Sequence, residues 1–430
     1  MKSGNCGQNL PKCARVSQLE AKLETQATAV TTAQTQSAAA VQQAAAAEKT
    51  ANKASETKVA WKGAPEMSAP GGWSFKPRGR MQIDVAGVDV PDRLDNARFG
   101  YGTEFRRLYL GFDGSLPGNL KYRIEADLAN NSVEITDAYL TWGHKQFSVT
   151  AGQIKPFWGL EEVSSDLFTS MMERSSFSQA FGFERRVGLS GQYAGKTVVV
   201  QAGAFADNAN DLLGDTNNSY SLDGRIVFMP KLGETQLHIG GSIHDRHFND
   251  QSNTSRYRAR PFAHTTDTRL VDTAAFTSKG ETGYGLELGA FHGPLHAMAE
   301  SYWQTANRPG PLIDPTFNGG YAELGYYLTG DARSYKAGVY DRTKPIHPVS
   351  AGGIGAIELN GRFDWLDLND AGIRGGRQKI YGASLVWVPT DYTRVIVNYG
   401  HVVVNDSPVN GGGSGDYSAD TVGMRAQFDF

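Results

Sequence analysis

Three arginines stand at a spacing of two in Ser255-Arg256-Tyr257-Arg258-Ala259-Arg260-Pro261. In extended backbone that spacing puts the guanidinium groups on one side, about 6.6–6.8 Å apart. Such a row repels itself unless it faces anions or interleaved carboxylates. Planar, weakly hydrated forks suit oxyanions, which can pass from one bidentate pair to the next. A solvated loop, or contacts to lipid phosphates, would satisfy the row equally. A second basic pair, Arg106 and Arg107, opens a strand-like segment. There Arg107, Tyr109, Gly111 and Asp113 share one parity, and Leu108, Leu110 and Phe112 the other. Arg106 falls on the apolar side, where burial in lipid is costly, so it sits at an interface or a local bulge turns it inward.

The elements that carry these arginines alternate in polarity from residue 74 onward. Tyr284, Leu286, Leu288 and Ala290 oppose Glu287 and Gly289; Tyr381, Leu385 and Trp387 oppose Gly382 and Ser384; Val395, Val397 and Tyr399 oppose Arg394 and Asn398. Connections alternate in length. Short ones lie at 117–119, 143–145, 193–195, 230–232, 292–294 and 389–391, and longer ones at 86–103, 154–184, 207–219, 245–282, 305–317, 368–375 and 406–416. Short turns on one rim and long loops on the other describe an all-β fold, a transmembrane antiparallel β-barrel of about 16 strands. A long connection near 330–354 falls on the short-turn rim and is the exception. The chain ends with Val422, Met424, Ala426, Phe428 and Phe430 on one parity, the pattern of a last barrel strand. A pair of soluble β-sandwiches would not produce the alternation of connection lengths.

Composition agrees. Glycine contributes 50 of 430 residues, against about 7% in average proteins. The net charge of -3 offers no basic field for nucleic acid. Mean hydropathy is -0.40 and no apolar run reaches about 18 residues, which excludes a membrane helix and leaves a barrel open. Met1-Lys2-Ser3-Gly4 leads into polar residues without an apolar core, so no secretory signal is visible: it has been removed, or the protein is cytoplasmic. Cys6 and Cys13 are the only cysteines. They pair in a disulfide within or between chains, or stay as thiols; their spacing lacks the partners of a metal site.

Residues 16–60 are a different material, rich in Ala, Gln and Thr. Val16, Leu19, Leu23, Val30 and a series of alanines step in threes and fours, a heptad seam interrupted by Gln26 and Ser37. The seam reads as an N-terminal Ala-rich α-helical coiled coil; a lone helix or a low-complexity linker is the alternative. The organisation expected is a Cys-containing segment at 1–15, a stalk at 16–60, a linker at 61–73 and a barrel at 74–430.

Several stretches, taken in order, resemble the phosphate-selective porin O/P family of Gram-negative outer membranes. They are Phe105-Arg106-Arg107, Gly159-Leu160-Glu161 with Ser164-Ser165, Glu173-Arg174, and Ser255-Arg256-x-Arg258-x-Arg260. Tyr284-Gly285-Leu286-Glu287, Leu328-Thr329-Gly330-x-x-Arg333-x-Tyr335-Lys336 and the terminal Phe430 complete the match. The resemblance implies a homotrimer of 16-stranded barrels in outer-membrane lipid, each narrowed by in-folded loops. Arg106 and Arg107 match the family's central arginine pair, Arg256, Arg258 and Arg260 match rungs of its arginine ladder, and Ser164 and Ser165 lie in its constriction loop. Small anions are the implied permeants, with no cofactor. A trimer would bundle the stalks into a periplasmic three-stranded rod up to about 60 Å long.

Two acids depart from the family pattern, and a third lies near an acidic position of it. Glu162 and Asp166 stand where phosphate-selective members carry lysines, and Asp137 lies near the family's central acidic position. A unit charge 4 Å away contributes roughly 4 kcal/mol at an effective dielectric of about 20, enough to alter anion preference. Lys155 stands nearby as a compensating charge. The expected function is an anion-preferring outer-membrane channel. The alternative is a general porin, or a structural tether whose stalk contacts the cell wall. No HExxH, Cys/His cluster or GxSxG elbow favours an enzyme.

Overall fold

The computed structural model describes residues 10–55, 57–94, 99–129, 132–211, 219–248 and 254–430. Contacts divide the chain into two units, one of residues 1–58 and 68–71 and one of residues 59–67 and 72–430.

The first unit is dominated by α1 (Leu10–Ser55), roughly 69 Å long at 1.5 Å per residue. Alanine supplies helix propensity. The hydroxyls of Thr25, Thr28, Thr31, Thr32 and Thr35 donate back to carbonyls four residues earlier at 2.6–2.8 Å, which removes their competition with the helix. Val16, Leu19, Leu23 and Val30 are all more than half exposed. Cys6 lies outside the described residues, and of Cys13 only the helical backbone is described. A short strand, Lys58–Trp61, spans the end of the stretch read as the stalk, and a second, Pro65–Ala69, lies in the stretch read as a linker.

Sixteen long strands follow among the described residues. They are β1 (Trp73–Asp89), β2 (Gly100–Leu116), β3 (Leu120–Asp127) and β4 (Glu134–His144). Then come β5 (Phe147–Ile154), β6 (Arg186–Ala194), β7 (Val198–Phe205) and β8 (Tyr220–Phe228). The next four are β9 (Thr235–His247), β10 (Gly280–His292), β11 (Leu295–Asn307) and β12 (Thr316–Tyr327). The last are β13 (Ala356–Asp370), β14 (Ile373–Thr390), β15 (Thr393–Asn405) and β16 (Tyr417–Asp429). Each pairs antiparallel with the next, and β16 pairs with β1 from Asp420 opposite Asp89 to Asp429 opposite Arg80. The barrel is closed, so no strand edge is left unpaired.

Alternation sorts the two faces. On β16, Val422, Met424 and Phe428 are exposed on the outside, while Thr421, Arg425 and Gln427 are buried within. One expected long loop is absent: at 368–375 the strands continue into a hairpin, Asp370 opposite Ile373. It turns on Ala371 and Gly372, at φ 47° and 84°. Positive φ at both central residues is the type I′ geometry, whose twist matches the strands and extends them.

Three connections fold into the barrel and bury its inner wall. Residues 155–185, between β5 and β6, carry α2 (Leu160–Val163) and α3 (Ser176–Ala180). They reach the opposite wall, where the Ser176 amide donates to Asp364 of β13 at 2.8 Å and Ser384 of β14 donates to the Ser170 carbonyl at 2.7 Å. Residues 254–279 cross to β14–β16 and β2. There Thr421 donates to the Pro261 carbonyl at 2.7 Å, His264 meets Glu104 at 2.8 Å, and the Phe262 ring lies over Gly382 and Gly400. Residues 328–355 enter from the short-turn rim, and the Tyr340 amide donates to Ser164 Oγ at 3.0 Å. On the β11–β12 side the interior is an aromatic core: Phe177 stacks on Tyr302 at 6.0 Å, Phe183 meets Tyr302 at 5.0 Å and Phe181 meets Tyr257 at 5.7 Å.

Candidate permeation site

The pairing of β1 with β2 slips between Gln82 and Ile83 and leaves Arg106 as the extra residue of a β-bulge. A bulge turns a side chain that alternation would send outward. The Arg106 guanidinium reaches Glu173 of the in-folded 155–185 segment with Nε at 3.0 Å and Nη2 at 3.1 Å. Its neighbour Arg107 is buried, ion-pairs with Asp166 and donates to Gln82 at 2.8 Å. Arg80 of β1 pairs with Asp166 as well, and Arg425 of β16 pairs with Glu173 at 2.8 Å. Each loop carboxylate therefore sits between two guanidinium groups. Burial alone would raise the Asp166 carboxyl, but Arg107 and Arg80 outweigh it and hold it well below the usual carboxylate range. Glu173 is held down likewise, against burial, by Arg106 and Arg425.

Lys155 donates to Glu162 Oε1 at 2.7 Å and to the Glu162 carbonyl at 2.8 Å. Burial, with Arg174 adding to it and Glu162 opposing, brings the Lys155 amine down to about 7. Glu162 also pairs with Arg174 at 3.4 Å. Ser165 Oγ lies 3.4 Å from Arg80. Asp137 of β4 accepts from Arg185 at 2.6 Å and lies 3.6 Å from Arg123.

Five of these expected residues, Lys155, Ser164, Ser165, Asp166 and Asp137, line one chamber of about 610 Å³ on the short-turn side of the in-folded segment. Its basic lining is Lys76, Arg78, Arg80, Arg123, Lys155, Arg185 and Arg342, and its acidic lining Asp113, Glu125, Asp137, Asp166 and Asp429. Seven basic side chains thus face five acidic ones among the described residues. Arg106, Arg107 and Glu162 stand outside that lining.

The spaced arginines occupy the other in-folded segment, on the long-loop side. Arg258-Ala259 pairs with Val271-Asp272, so this stretch is extended. Ser255, Tyr257 and Ala259 are buried, Arg256 and Arg258 exposed and Arg260 half-buried, which puts the three guanidinium groups on one face. Arg256 forks onto Asp272 at 2.8 and 2.5 Å, and Arg260 donates to the Thr266 carbonyl at 2.9 Å and to Asp267 at 3.2 Å. Arg258 makes no ion pair among the described residues. Burial is the main effect lowering Arg260, against the hydrogen bond to Asp267, with smaller opposing effects of Glu173 and Arg106. Arg269 joins this cluster: burial, then Arg260 and Arg258, bring it down to about 10.

The basic wall of β1 lay outside the expected site, although Lys76, Arg78 and Arg80 alternate at the spacing that marks an inner face. Arg123, Arg185 and Arg342 carry no such pattern; the fold brings them to the chamber.

A closed sixteen-stranded barrel with an apolar outer face and a charged, loop-narrowed interior defines an outer-membrane channel. Residues 75–430 match the family Phosphate-selective porin O and P, and the chain belongs to that family; it is an outer-membrane porin. It is 43% identical to an uncharacterized protein of Caulobacter vibrioides, covering 87% of this chain and 77% of that protein. It is 24% identical to Porin O of Pseudomonas aeruginosa, covering 83% and 89%. Among solved structures, OmpT of Vibrio cholerae aligns with TM-score 0.54 at 11% identity, over 84% of this chain and 99% of that one. The trimer form of OmpT aligns at 0.51 and 10%, over 84% and 100%.

Proposed function

We propose that this porin conducts small anions in preference to cations, with arginines of its in-folded loops as the guiding charges. The observations that carry the reading are the one-sided row of Arg256, Arg258 and Arg260 on an in-folded segment and the excess of basic over acidic side chains lining the chamber. Arg258, unpaired among the described residues, is the rung best placed to meet an entering oxyanion. At the centre, Asp166 and Glu173 already occupy the forks that would grip phosphate, and Glu162 occupies Lys155. The reading is therefore an oxyanion-tolerant channel without strong phosphate affinity. Replacing Arg256, Arg258 and Arg260 together by Ala should move the reversal potential in asymmetric KCl toward the cation side by several millivolts; an unchanged potential would refute the role of the row.

A second role rests on the helix. Its seam residues Val16, Leu19, Leu23 and Val30 are exposed, and helices draw most of their stability from packing an apolar face. We propose residues 16–60 as a stalk that bundles with two other copies in a homotrimer and extends through the periplasm toward the cell wall, ahead of a linker at 61–73.

A further inference from the structure

The stretch between α2 and α3 has no strand or helix partners for most of its carbonyls, yet it is buried inside the barrel. Buried carbonyls need donors. They find them in guanidinium groups of the wall. Arg394 of β15 donates from Nη1 to the Leu167 carbonyl at 2.7 Å and from Nη2 to the Thr169 carbonyl at 2.6 Å. Arg333, from the 328–355 connection, donates to the Phe168 carbonyl between them. Arg425 of β16 donates to the Met172 carbonyl while it holds Asp84 at 2.7 and 2.6 Å.

We infer that Arg333, Arg394 and Arg425 are positioning residues whose forks hold the main chain of the 155–185 segment and so set the width of the passage. All three are buried, and their charge is answered inside the wall: Glu358 lies 3.0 Å from Arg333 and 4.0 Å from Arg394, and Asp84 pairs with Arg425. They are buried cations of the bore rather than exposed rungs. The Arg394 fork spans two carbonyls two residues apart, a task that needs two donors in fixed geometry. A lysine offers the same charge with its donors on one rotatable nitrogen, and does not reproduce two fixed, separated donors. The assignment is independent of which ion the channel prefers, because it concerns geometry rather than net charge.

The test is single-channel recording of the full-length protein with Arg394→Lys and Arg394→Met, after heat-modifiable gel migration confirms a folded barrel. Both variants should raise open-channel conductance roughly twofold and add current noise, as expected when a loop that narrows a pore is loosened. The reversal potential of the lysine variant should stay at the unmodified value. A lysine variant with unmodified conductance would show that charge alone suffices, and unchanged conductance in both variants would show that the fork holds nothing; either result overturns the assignment. If the Arg394 variants do not fold, Arg333→Met, outside the barrel sheet, should raise conductance in the same way, and unchanged conductance there overturns the assignment.

Discussion

Asp166→Asn is the most revealing single substitution. The Asp166 carboxylate faces both Arg80 and Arg107 and lines the chamber. Asparagine keeps the shape and removes one negative charge. At an effective dielectric of about 20, a unit charge about 6 Å from a passing ion contributes roughly 3 kcal/mol. Salt at 0.1 M, with a Debye length of about 10 Å, cuts that to about 1.5 kcal/mol. That corresponds to roughly tenfold in the partition of a monovalent anion. The assay is reversal potential in a tenfold KCl gradient, followed by titration of phosphate as a blocker of chloride current. The variant should shift further to the anion side, and millimolar phosphate should slow its chloride current, because Arg80 and Arg107 are then free to hold an oxyanion. Asp166→Glu, which keeps the charge, should do neither. An unchanged reversal potential, or a shift toward cations, would refute the reasoning.

Lys155 supplies a pH dependence. It is uncharged above about 7 and charged below, so anion preference should rise as pH falls from 8 to 6, and Lys155→Met should abolish that slope between its neighbours Glu162, Arg174 and Arg185. The same shift makes stability rise with pH between about 7 and the lysine's ordinary 10.5, where the unfolded state binds the extra proton; chemical denaturation at pH 7.5 and 9.5 reads this. At Gly400 an added Cβ would lie 2.5 Å from the Phe262 ring. Gly400→Val should cost about 1–3 kcal/mol of overpacking and loosen the 254–279 segment, seen as faster proteolysis there. Deleting residues 1–60 should lower the temperature at which the proposed trimer dissociates on gels while leaving single-barrel conductance intact; no change would make the helix a passive extension.

Most of the barrel is legible in the order of the residues, since an inner and outer face alternate along each strand whatever the loops do. The hairpin at 368–375 is not. Arg374, Gly375 and Gly376 look like loop residues, and only the positive φ of Ala371 and Gly372 shows how tight the turn is. The one-sided arrangement of Arg256, Arg258 and Arg260 follows from spacing, whereas the partner of Arg256, Asp272, depends on a local hairpin that pairs two-residue strands. Arg106 poses a conflict between parity and burial, and the bulge that answers it leaves no mark in one sequence. The wall arginines are the hardest to see. An inward Arg394 or Arg425 reads as ordinary solvation of a wide bore, and its real partner is a carbonyl of a segment more than two hundred residues earlier. The acids Asp166 and Glu173 pose the same problem, for their role appears only when the loop folds against β1, β2 and β16.

The central claim is that fixed positive charge guides ions through this barrel, and the reversal potential of the unmodified channel in asymmetric KCl tests it most directly. A potential of the sign set by chloride is the predicted result. A potential of the sign set by potassium would contradict the account, whatever the disposition of the arginines.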